Sequence, residues 1–148
     1  MPISSVDFPN LHPGNHQITS PADNRYNCIA WAVGVDNAWW EPTTQRHWPG
    51  HAPRDYKVAS LIVVYESVGF VICADGSQEE GIEKIALYGT GDEYMHAALQ
   101  LKTGKWTSKL GESEDIQHDA PENLAGPCYG QVTAFMKRPR TKGSSDGK

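Results

Sequence analysis

Cysteine is scarce in this chain. There are three, Cys28, Cys73 and Cys128, an odd number with no close spacing. That argues against a disulfide framework, although a single Cys73–Cys128 bond stays open. It also removes the Cys-x-x-Cys pair of zinc ribbons and thiol redox sites, and no His-Glu-x-x-His is present. Positive charge is in deficit: 13 Lys and Arg against 18 Asp and Glu leave a net charge of −5. Nothing in that balance recommends nucleic acid as a partner. No apolar run approaches the ~20 residues that cross a bilayer, and no apolar secretory segment follows Met1. The expectation is a reducing cytoplasm, no membrane partner and no cofactor. Export that reads no N-terminal signal would leave no trace in such a sequence.

Aromatic residues are plentiful. Five Trp and six Tyr in 148 residues suggest a large aromatic share of a core or a cleft. The length suits one domain with a real core. Residues 1–27 carry Pro2, Pro9, Pro13, Gly14 and Pro21 with little periodicity, and read as an irregular arm. Residues 28–34 read as a short helix capped by Asn24 or Asn27. Residues 35–56, rich in Trp, Pro and His, read as a long loop. A second helix is predicted over 55–67, from the spacing of Val58, Leu61, Ile62, Tyr65 and Val68 and the stop at Gly69. A buried strand is the alternative there.

Strands follow. Phe70–Cys73, Glu83–Tyr88, His96–Leu101, Lys105–Leu110 and Gly130–Met136 are the candidates, with Thr103-Gly104 as a hairpin turn. Helices first and an antiparallel sheet later make the fold class α+β, with N-terminal helices packed on a C-terminal sheet. The expected domain is 1–137, and 138–148 is the expected disordered tail.

Cys28 is the residue most suggestive of chemistry. It follows a turn-rich stretch and opens the apolar run Ile29-Ala30-Trp31-Ala32-Val33. A thiol on the first turn of a helix meets unpaired N–H groups and a partial positive charge, which favour thiolate. His96 heads a strand-like run 68 residues later. A helix cysteine and a sheet histidine are two halves of a thiol–imidazole site. A lone cysteine in an apolar helix is more commonly core packing, and a lone strand-edge histidine is more commonly structural.

Two segments resemble papain-like cysteine hydrolases, in particular the small NlpC type. Cys28-Ile29-Ala30-Trp31-Ala32 is similar to the helix start that bears the nucleophile. The run from His96 through Leu101-Lys102-Thr103-Gly104-Lys105 to Trp106 is similar to the hairpin that bears the base. Lys84 to Tyr88, Trp106 to Gly111 and Ile116-Gln117-His118 resemble small uncharacterised bacterial proteins, which implies no function. The resemblance implies a papain-like fold and an amide substrate in a peptide or protein. It implies Cys28 as nucleophile, His96 as general base and the Cys28 N–H as an oxyanion donor. The third position falls near Thr107 or Ser108. Ser108 is preferred, Asp115 stands behind it, and His118 or Asp119 are further candidates. The oxyanion glutamine has no clear counterpart, since Gln17 lies too far upstream.

Trp39, Trp40 and Asn27 are the candidate substrate-binding residues, because the Trp loop directly follows the cysteine helix. Packing of Trp39, Trp40 and Trp48 over the second helix is the competing reading. His12/His16 and His47/His51 have helical ligand spacing but lie in Pro/Gly-rich loops, so no metal site is expected. The resulting function is a cysteine peptidase, amidase or deamidase. The alternative is a non-catalytic binding or immunity-type module.

Overall fold

The computed structural model describes residues 8–12, 14–23, 25–43, 46–49, 52–110 and 114–140. Asn24, His51 and residues 141–148 of the expected tail lie outside the described residues. Seven strands form one sheet: β1 (His16–Ser20), β2 (Val71–Cys73), β3 (Ile82–Thr90), β4 (Glu93–Gln100), β5 (Trp106–Lys109), β6 (Asp115–His118) and β7 (Gln131–Pro139). Their order is β1-β6-β5-β4-β3-β7-β2, and every neighbouring pair is antiparallel. The helices are α1 (Cys28–Trp31) and α2 (Val58–Glu66).

This corrects the expected fold class. Among the described residues regular α-helix amounts to four and nine residues, and a strand precedes both helices. The molecule is mainly a seven-stranded antiparallel sheet, and N-terminal helices packed on a C-terminal sheet of papain-like, NlpC type are overturned. The arm expected to be irregular carries β1, whose Ile18 pairs with Ile116 of β6. Neither strand announces itself in sequence: His16-Gln17-Ile18-Thr19-Ser20 and Asp115-Ile116-Gln117-His118 each hold one aliphatic residue. β7 continues through Pro139, two residues beyond the boundary expected for the domain.

Both faces of the central strands are covered, so β3 and β4 lack the clean alternation of a half-exposed strand. Ile85, Leu87, Ala97 and Leu99 join the cluster that contains Ile29 and Ala30 of α1, Leu61, Val64 and Tyr65 of α2, Trp40 and Trp48. Ala86, Tyr88, Ala98 and Trp106 join the other cluster, with Phe8, Leu11, Ile116 and Leu124. We call these the helix face and the arm face. α2 ends where Gly69 adopts φ of 102° and the Phe70 N–H donates to the Tyr65 carbonyl, a left-handed stop that favours glycine.

Two devices close the sheet around charge. Lys84, 1% exposed, reaches Glu79 at 2.7 Å and Asp75 at 3.4 Å. Arg138 donates to Glu83 at 2.7 Å. One seam stays narrow: β4 and β5 pair only at Leu99–Thr107 and Gln100–Trp106. Beyond those pairs α1 lies against both strands. The indole of Trp31 donates to Thr107 Oγ1 at 3.0 Å.

Candidate functional site

Asn27 explains why a four-residue helix starts at Cys28. Its backbone is extended, and its Oδ1 accepts from the N–H groups of Ala30 (3.2 Å) and Trp40 (3.1 Å). Its Nδ2 donates to the Trp40 carbonyl at 2.7 Å. Asn27 is thus a cap and a tether for the Trp loop, and it is buried. The Tyr65 hydroxyl donates to the Ile29 carbonyl at 2.9 Å and fixes α1 from the α2 side.

Cys28 is the first residue of α1 and packs against the helix-face cluster. Burial pushes its thiol up to about 11. The backbone N–H of Ala97 opposes that shift most, followed by those of Cys28 and Ile29, and the charge of Lys109 adds to them. The polarity of these N–H groups offsets burial only in part, so the neutral thiol is favoured.

His96 is fully buried. It pairs across the ladder with Tyr88, and its ring meets that of Tyr88 edge-on at 5.0 Å. The Tyr129 ring stacks on it, with centroids 4.1 Å apart and planes 5° from parallel. Neither ring nitrogen has a hydrogen-bond partner. Burial holds the imidazole well below its usual pKa, and His118 adds to the shift. An imidazole buried without partners loses the hydration of two polar atoms and demands an explanation. Strand alternation sends the His96 side chain to the arm face, with Tyr88 and Ala98, while Ala97 belongs to the helix face. α1 packs against β4 and β5, and no hydrogen bond joins Cys28 to His96. Tyr129 relates to both. It covers the imidazole, and its hydroxyl lies within the electrostatic reach of Cys28 and Cys128.

The other candidate residues are engaged elsewhere. Ser108 lies 2.8 Å from His118 Nε2, and His118 Nδ1 lies 2.9 Å from the Ala120 carbonyl. A carbonyl only accepts, so Nδ1 carries the proton and Ser108 donates to Nε2. Asp115 Oδ2 accepts from the hydroxyls of Tyr26 and Ser20, each at 2.6 Å, on the side where Lys109 lies 5.1 Å from the Tyr26 ring. Trp40 is buried in the helix-face cluster. Trp39 is half-buried, donates to Glu41 at 2.9 Å and carries Arg46 at 5.2 Å. Among the described residues no three potential ligands cluster as a metal site would require. His16 Nδ1 faces the His12 carbonyl at 2.9 Å. All three cysteines are free thiols.

Sequence reasoning missed Tyr129, Lys109 and the Ala97 N–H. Tyr129 had one visible signal, its place in Gly126-Pro127-Cys128-Tyr129-Gly130. The N–H groups of Gly126 and Gly130 each donate to the other's carbonyl, at 2.9 and 2.8 Å. The result is a small closed flap with Tyr129 near its end.

A cysteine-bearing helix start packed on β4 and β5 of one seven-stranded antiparallel sheet defines the class of domain. A family profile described as "Domain of unknown function (DUF7689)" matches residues 17–137, and the chain belongs to that family. No curated protein and no solved structure matches it.

Proposed function

We propose that this protein is a cysteine-dependent hydrolase of an amide bond in a peptide or protein. The carrying observation is that Cys28 opens α1, which packs on β4, the strand that bears an imidazole whose nitrogens lack partners. The thiol proton passes to His96 and the thiolate attacks the amide carbonyl. The N–H of Cys28 at the helix start then serves the oxyanion, which develops beside the carbon–sulfur bond. The carbon–nitrogen bond breaks, the amine leaves with the proton from the imidazolium, and water hydrolyses the thioester. Burial favours the neutral thiol and neutral imidazole at rest. The proton transfer therefore requires the Tyr129 flap to swing clear, so that His96 reaches sulfur around the open β4–β5 seam.

Iodoacetamide labelling followed residue by residue tests this. A Cys28 assisted by His96 reacts below pH 8, faster than Cys73 and Cys128, and slows in His96→Asn. A Cys28 whose rate climbs only as pH approaches about 11, unchanged in His96→Asn, sinks the proposal.

A second reading, a non-catalytic binding module, is favoured by one observation. Ser108 and Asp115 are bound to His118, Tyr26 and Ser20, and neither holds the His96 ring. That reading expects the slow, high-pH labelling.

A further inference from the structure

A cavity of about 390 Å³ opens on the arm face, in the size range of small-ligand sites (about 300–1,000 Å³). Its wall includes Gln100, Trp106, Phe135, Asp119 and Glu122. Gln100 is 2% exposed; its Nε2 donates to the Gly76 carbonyl at 2.7 Å, and its buried Oε1 has no partner. Gly76 closes the wall tightly: a Cβ there would stand 2.7 Å from Phe135 and 3.0 Å from Trp106. Two carboxylates join this acceptor. Asp119 has Lys105 at 3.5 Å, and both side chains are about half exposed. Glu122 makes no ion pair among the described residues. Nearby Asp75 and Glu79, by contrast, are already served by Lys84.

The chemistry is one-sided: aromatic walls, an unsatisfied buried acceptor and excess negative charge. An anion would meet the Glu122 carboxylate, which no cation pairs among the described residues, and a purely apolar ligand would leave the Gln100 oxygen orphaned. We infer that this cavity binds a guanidinium or primary ammonium group on an aliphatic stem, the side chain of an arginine or lysine. The stem lies along Trp106 and Phe135, and the cation donates to Gln100 Oε1 and Glu122. The inference goes beyond the thiol chemistry and stands without it.

The test is a titration of the 15N-labelled full chain with N-acetyl-L-arginine amide, with N-acetyl-L-citrulline amide as the uncharged control. The arginine ligand should saturate, moving the Trp106 indole and Gln100 amide signals, and the citrulline ligand should bind about tenfold more weakly. Glu122→Gln, on an exposed side chain, should weaken arginine binding about three- to fivefold without disturbing the fold. Gln100→Leu should weaken it about tenfold where it folds. Equal response to both ligands, shifts away from the cavity, or no change in Glu122→Gln would overturn the inference. Failure here leaves the labelling behaviour of Cys28 untouched, so the two proposals fail separately.

Discussion

At the scale of single residues, the informative feature is a set of polar atoms held without ordinary partners. His96 is the sharpest case, since a ring sealed between Tyr88 and Tyr129 gains packing but forfeits two hydrogen bonds. Tyr129 is then the residue whose removal changes reactivity most selectively. A stacked aromatic pair contributes about 0.5–1.5 kcal/mol beyond its buried area, so Tyr129→Ala should raise Cys28 labelling by up to about tenfold. Mass-spectrometric labelling should show Cys73 unchanged. Equal acceleration at Cys73 would mean general loosening. The sequence marked Cys28 and His96 as chemically suggestive because of their residue types and flanks. The candidate for the third position, Ser108, is bonded to His118 for a definable reason. A hairpin after His96 does place Ser108 on β5, but the partner of Ser108 is fixed by β6, where His118 arrives from a strand that read as loop.

At the scale of elements, legibility followed apolar patterning. The apolar spacing of α2 and the aliphatic runs of β3 and β4 were visible within a few residues of their true bounds. β1 and β6 were not, because their buried polar groups are satisfied by tertiary contacts such as Ser20 and Tyr26 on Asp115. No local propensity encodes such partners. Turn chemistry offers a sharper prediction. Gly130 sits at the base of the Tyr129 flap with φ of 74°, and a Cβ there would stand 2.2 Å from the Gly89 carbonyl oxygen and 2.5 Å from Thr90 Oγ1. Left-handed backbone strain alone costs about 1–3 kcal/mol for a non-glycine residue. Gly130→Ala should therefore lose at least that much stability in urea unfolding and also unseat the flap. A second element-scale expectation concerns α1. Trp31→Phe keeps an aromatic ring but removes the pyrrole ring with its donor to Thr107, leaving a buried hydroxyl short of a partner. The loss should be about 1–2 kcal/mol in the same assay.

At the scale of the whole molecule, buried neutral histidines make stability pH-dependent. Burial lowers His118 to about 4, opposed by its bond to the Ala120 carbonyl, and burial also holds His96 well below its usual value. Between about 4 and 6.5 the unfolded chain binds more protons at these positions than the folded one. Stability is therefore full above pH 6.5 and falls as pH drops through that window. His118 alone accounts for a loss on the order of 3 kcal/mol by pH 4. Urea midpoints measured from pH 7.5 to 4.5 should decline accordingly, and His118→Gln should flatten the slope. The narrow β4–β5 seam has a different consequence. The backbone ladder joins strands β1, β6 and β5 to β4, β3, β7 and β2 by two pairs only, and a single turn of helix and the arm-face cluster supply the other contacts between them. Backbone amides on the two sides of that line need not surrender deuterium together: the three-strand flank forms its own cooperative unit, exchanging before the four-strand block.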